Sequence, residues 1–166
     1  MKKGQSRDRQ PQRIERSPIE EAQHDPYRPK TKLPEPSVCP QCALVYHGGR
    51  WLETARPQQA AEQLCPACRR IHDRFPAGYV TLEGAFLAQH RDEILHIARN
   101  TETRERSRHP LQRIMDVEQT AERIEVTTTD LHLARRIGEA VHSAFEGTLD
   151  VNYSPNEYVV RVHWTR

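Results

Sequence analysis

Apolar positions in the last third of the chain follow two periods. Residues 113–118, Arg113-Ile114-Met115-Asp116-Val117-Glu118, form a candidate strand, and Ile124, Val126 and Thr128 alternate in a second. The period then becomes helical. Thr129 or Asp130 is placed to cap a helix whose apolar face is Leu131, Ala134, Ile137, Gly138, Val141, Ala144 and Phe145, with Gly147 as its stop. Alternation returns at Leu149, Val151 and Tyr153, and after a turn at 154–157 it continues through Tyr158, Val160, Val162 and Trp164. The pattern predicts ββαββ: an antiparallel, four-stranded sheet with a helix, and Trp164, on one face.

Upstream of Pro110, the spacing of Phe86, Leu87, Ile94, Leu95, Ile97 and Ala98 predicts one long helix from Leu82 to about Arg106, with Thr81 as N-cap. Arg99, Arg104, Arg106 and Arg108 lie among Glu102 and Glu105 at its far end, which reads as a solvated face. Strict alternation leaves Gln112, Ile114, Asp116, Arg123, Glu125, Thr127, Asp150, Asn152, Val159, Arg161 and His163 on the open sheet face. With no aromatic among them, an RNA-stacking platform of the RRM kind is disfavoured.

Residues 1–37 break both periods. They hold prolines at 11, 18, 26, 29, 34 and 36 and few large apolar residues, which predicts a disordered arm. Its first part is basic through Lys2, Lys3, Arg7, Arg9, Arg13 and Arg16. The chain thus divides into the arm (1–37), a cysteine module (38–80), a connecting helix (81–109) and the ββαββ unit (110–166).

The module carries the clearest chemistry. Cys39-Pro-Gln-Cys42 and Cys65-Pro-Ala-Cys68 use all 4 cysteines, in the pattern C-x2-C-x22-C-x2-C. Two residues between cysteines let a tight knuckle aim both sulfurs at one ion, and a hairpin-length insert brings the second pair round. Leu44-Val45-Tyr46 and Arg50-Trp51-Leu52, joined through His47-Gly48-Gly49, supply that hairpin. A helix from Arg69 to Phe75, stopped by Pro76, makes a treble-clef module the expectation over a zinc ribbon. The expected metal is a structural Zn²⁺ on Cys39, Cys42, Cys65 and Cys68. Four thiolates leave no open position for catalytic water.

Composition narrows the function. No G-x-S-x-G, H-E-x-x-H, Gly-rich phosphate loop or spare cysteine is present, so no enzyme and no small-molecule substrate is expected. No stretch approaches the roughly 18 apolar residues of a membrane span, and no apolar segment follows Met1-Lys2-Lys3. A cytoplasmic location is therefore expected, where paired cysteines are more often ligands than disulfides. Four thiolates and one Zn²⁺ carry a formal charge of about −2, which offsets the chain's +2. Polyanion binding must then come from local patches. Arg69, Arg70 and Arg74 behind the second knuckle, Arg50 on the hairpin and Lys2, Lys3, Arg7, Arg9, Arg13 and Arg16 of the arm are the candidate nucleic-acid contacts.

The paired CPxC motifs, followed by Ile124-Glu125-Val126-Thr127-Thr128-Thr129 and Ala134-Arg135-Arg136-Ile137-Gly138, resemble the ribosomal large-subunit export adaptor family. Its small bacterial relatives are labelled NMD-type. The likeness runs from about Val38 to Arg166. It implies ribosome or rRNA contact, and does not carry nuclear export to a chain without the eukaryotic extra domains. The family's first knuckle commonly ends CPxCG; Ala43 stands at that glycine here. The expected function is a non-enzymatic zinc protein associating with ribosomal particles or structured RNA. The alternative is a zinc-dependent protein–protein adaptor without RNA contact.

Overall fold

A computed structural model describes residues 25–166. Two sheets and three helices make up these residues, a mixed α+β arrangement.

The smaller sheet has the order β3-β2-β1-β4, with β1 at Ser37–Val38, β2 at Val45–His47, β3 at Arg50–Leu52 and β4 at Ala61–Glu62. His47 opposite Arg50 leaves a two-residue turn of Gly48 and Gly49, at φ 60° and 79°. Both angles are left-handed, which is why glycines stand there. Trp51 is buried from β3 against the cysteines, and helix α1, Pro66–Asp73, starts directly at the second cysteine pair.

The larger sheet departs from the ββαββ expectation. Its order is β6-β7-β5-β9-β8, with β5 at Gly78–Glu83, β6 at Ile114–Gln119, β7 at Arg123–Thr128, β8 at Thr148–Tyr153 and β9 at Val160–Thr165. The sheet is five-stranded, and its central strand lies upstream of residue 110. It is mixed as well, because β5 runs antiparallel to β7 and parallel to β9. Thr81, expected as a helix cap, sits mid-strand between Glu125 and His163. The reason is burial: Val80 and Leu82 point to the core and are fully buried, which only a strand's period of two allows.

Helix α2 runs from Leu87 to Arg106 and begins after Gly84, at φ 109°. It kinks at His90, whose ring stacks on Phe86 at 3.9 Å. Leu87, Ile94, Leu95 and Ala98 form its buried stripe. Helix α3, Leu131–Phe145, is capped by Asp130, whose Oδ1 accepts from the N–H groups of His132 (2.8 Å) and Leu133 (3.2 Å). Both helices contact one another, and α3 crosses β5 and β9. A Cβ on Gly138 would come 2.4 Å from Val162 Cγ1, so glycine there sets the close approach of helix and sheet. Trp164 is fully buried beneath α3, with its indole N–H donating to the Glu146 carbonyl at 2.6 Å.

The open face differs in several places from strict alternation: Gln112 lines a cleft instead, and Val159 is buried ahead of β9. A register shift between Ile114 and Asp116 lets both Ile114 and Val117 pack on the core. Strand β5 also brings an aromatic to this face: Tyr79, with Arg161 over its ring at 4.6 Å. The remainder is polar, including His163 Nε2 at 2.6 Å from Glu83 Oε1.

Residues 25–37, expected to be disordered as part of the arm, are instead held in place, with Asp25 and Tyr27 docked on α1 and Glu35 accepting from the Gly48 N–H of the hairpin. Asp25 Oδ1 accepts from Arg70 Nη2 at 2.6 Å, and the Tyr27 hydroxyl donates to Asp73 Oδ2 at 2.8 Å. Anchors of charge and ring repay the ordering of an otherwise polar segment.

Candidate metal centre

The knuckle around the first pair closes through the Ala43 N–H, which donates to the Cys39 carbonyl at 2.8 Å, and the Cys39 N–H, which donates to the Leu44 carbonyl at 2.8 Å. This turn requires φ 61° at Ala43. It is the left-handed conformation that glycine adopts most cheaply, at the position where the resembling family carries glycine. The second pair is set by α1: Cys65 is the N-cap, its Sγ accepting from the Cys68 N–H at 3.4 Å. The Cys65 N–H donates in turn to Cys39 Sγ at 3.4 Å, which joins the two pairs.

Four sulfurs result, all within 4.8 Å of one another, with three of the four residues buried. Metal–sulfur bonds of about 2.3 Å place tetrahedral ligands roughly 3.8 Å apart. Cys42 and Cys65 sulfurs are 3.7 Å apart. The donor set, the spacing and the burial therefore fit one thiolate-held metal ion.

A residue that the sequence does not advertise completes the site. Arg113, 7% exposed, donates from Nη2 to Cys42 Sγ at 3.1 Å and from Nη1 to Cys68 Sγ at 3.4 Å. Its Nε donates to the Pro110 carbonyl at 3.0 Å, and its backbone N–H donates to Thr129 Oγ1 at 2.9 Å. Thr129 Oγ1 also donates to the Leu111 carbonyl at 2.6 Å. A buried cation is thereby fixed where it would offset the excess negative charge of the four thiolates if they held a metal. Only the position of Arg113 just after Pro110 distinguishes it in the sequence from the chain's other arginines.

These surroundings divide the thiols. At Cys42 burial works upward, but the Arg113 hydrogen bond, the Leu44 backbone and the Arg113 charge outweigh it and bring the pKa down to about 7. Burial pushes Cys68 up to about 11 and raises Cys65 as well. Of these three, Cys42 is the thiol most ready to meet a metal as thiolate.

The candidate nucleic-acid residues have separate fates. Lys2, Lys3, Arg7, Arg9, Arg13 and Arg16 lie outside the described residues. Arg69 and Arg74 are exposed on α1 and at its end, and Arg50 is exposed on the hairpin. None of these three is in an ion pair among the described residues. Arg70 is not available. It is 1% exposed, paired with Asp25, donating from Nη1 to the Phe75 carbonyl at 3.0 Å, with its guanidinium 4.3 Å from the centre of the Tyr27 ring. Its place on the inner side of α1 makes it a tether for residues 25–27.

Further cations join Arg50. A cleft of about 1260 Å³ between the cysteine module, residues 25–32, the loop after α2 and the start of α3 is lined by Arg28, Lys30, Lys32, Arg50 and Arg108. Lys30 and Lys32 went unread because their segment carries the composition of a disordered arm. Compared with known proteins, the chain matches no family model, no curated protein and no solved structure.

Proposed function

We propose that Cys39, Cys42, Cys65 and Cys68 hold one structural Zn²⁺. On that scaffold the protein acts in a reducing cytoplasm as a non-enzymatic binder of structured RNA or ribosomal particles. Zinc is favoured because an all-thiolate tetrahedral set with no open position suits it and leaves nothing for catalysis.

The observation that carries the RNA reading is the charge of the cleft. Arg28, Lys30, Lys32, Arg50 and Arg108 line it, and none is in an ion pair among the described residues. Its two carboxylates, Asp25 and Asp130, are committed to Arg70 and to the first turn of α3. Exposed cations left unpaired by the fold are available to phosphates, whose binding releases counterions. The zinc-held hairpin presents Arg50 on backbone that is already ordered, leaving only the side chain to be fixed.

A protein partner is the second reading, and Ile71 on α1 and Phe75 just past its C-cap favour it, being 39% and 49% exposed. Co-sedimentation with ribosomal particles in sucrose gradients at several salt concentrations separates the two. The RNA reading expects association that falls steeply with salt and weakens when Arg50 and Arg108 become alanine. Association insensitive to both, yet lost in Ile71→Ser/Phe75→Ser, would favour the protein partner.

A further inference from the structure

The floor of the cleft holds an unusual group. Gln112 lines it, is 8% exposed, and its Oε1 is shut off from solvent with no hydrogen-bond partner. Exchanging the amide's oxygen and nitrogen would leave a donor stranded in the same place. Buried polar atoms are nearly always paired, so this orphan calls for a partner, and a turn of the amide toward the cleft would let an incoming group supply one. A carboxamide has a donor and an acceptor side by side, the complement of a nucleobase edge. Beside it, Leu52, Tyr46 and Leu111 give the cleft an apolar portion that phosphates alone would not use.

We propose that this cleft takes an unpaired nucleotide of an RNA strand, with its phosphates on the cationic rim and its base edge at Gln112. This rests on the RNA reading above and deepens it from phosphate binding to recognition of a base. An acidic peptide fits less well: its carboxylates would satisfy the rim and leave the floor unmatched. A base in a duplex has its pairing edge occupied, so the site selects single-stranded segments, loops or bulges. The carboxamide must turn toward the cleft for its oxygen to accept from the base.

The test uses the full, metal-loaded chain with labelled eight-nucleotide oligo(A), oligo(C) and oligo(U), a blunt RNA duplex and poly-glutamate, read by fluorescence anisotropy. The parent is expected to bind at least one homopolymer about fivefold more tightly than another, and more tightly than the duplex. Gln112→Met keeps the volume and removes the orphan oxygen; it should flatten that ranking while the salt dependence stays unchanged. Arg50→Ala/Arg108→Ala should instead weaken every strand alike. A ranking preserved in Gln112→Met, or a duplex bound as tightly as any strand, overturns base recognition while leaving phosphate binding in place. Poly-glutamate bound where no RNA binds overturns the RNA reading itself. A second measurement needs no variant: 4-thiouridine in the bound strand should crosslink to residues 108–112 in the parent, and crosslinks confined elsewhere overturn the assignment.

Discussion

Arg113 and Cys42 meet at 3.1 Å although 71 positions separate them in the chain. The contact ties the cysteine module to the start of β6. It also fixes the loop from Arg108 to Gln112, which lines the cleft, against the four-cysteine cluster. Metal occupancy and cleft geometry are therefore expected to be coupled.

The first prediction concerns that tie. Arg113→Gln keeps all four ligands but removes the buried cation, so metal affinity should fall about 10–100-fold. Competition against a chromophoric zinc chelator measures it. An unchanged affinity would make Arg113 a spectator.

The second concerns protons. Cys65 and Cys68 are raised by burial, so in the metal-free protein both thiols are protonated at pH 7. Metal needs thiolates, so loading should release at least two protons and apparent affinity should weaken as pH falls. Calorimetry in buffers of different ionisation enthalpy reads the number. Heats independent of the buffer would contradict it.

The third separates neighbouring arginines. Arg70→Ala leaves Asp25 without its cation and should cost about 2–3 kcal/mol, less than a wholly buried pair because Asp25 is 26% exposed. Arg69→Ala, on the solvent side, should change stability by under about 0.5 kcal/mol. Equal losses in urea unfolding would mean that Arg70 is not a tether.

The fourth follows from strand order. A fragment of residues 111–166 lacks β5, the strand that bonds to both β7 and β9. It is expected to remain unfolded by circular dichroism, whereas the full chain should lose about 3–5 kcal/mol on Trp164→Ala. A cooperatively folding fragment would show that the two hairpins pair without their centre.

Sequence and structure agree where a single local rule decides. The cysteine spacing, the Gly48-Gly49 turn, the Asp130 cap and the core side of Trp164 are each legible from a few adjacent residues. Strand β5 was hidden because residues 79–83, a short alternating run, adjoin a helical stripe that begins at Phe86. The spacing allowed Leu82 and Glu83 to be read as the start of that helix behind a Thr81 cap; Gly84 was the available sign of a break. The core side of Ile114 was hidden by the register shift, which local alternation does not reveal. Arg113, Arg70 and Gln112 owe their roles to partners 45 or more residues away, or to the lack of any partner. No local pattern encodes that. The likeness to the ribosomal adaptor family stays a proposal for the same reason: its motifs are local, and the cleft that would meet RNA is not.

The most direct test of the account is the salt dependence of binding to one single-stranded oligonucleotide, compared between the parent and Arg50→Ala/Arg108→Ala with zinc content matched. Each phosphate contact contributes about 0.7 to the slope of log K against log salt for single strands. The account predicts that the double variant binds more weakly with a slope shallower by about 1.4. An identical slope would contradict it, placing the phosphates away from the cleft.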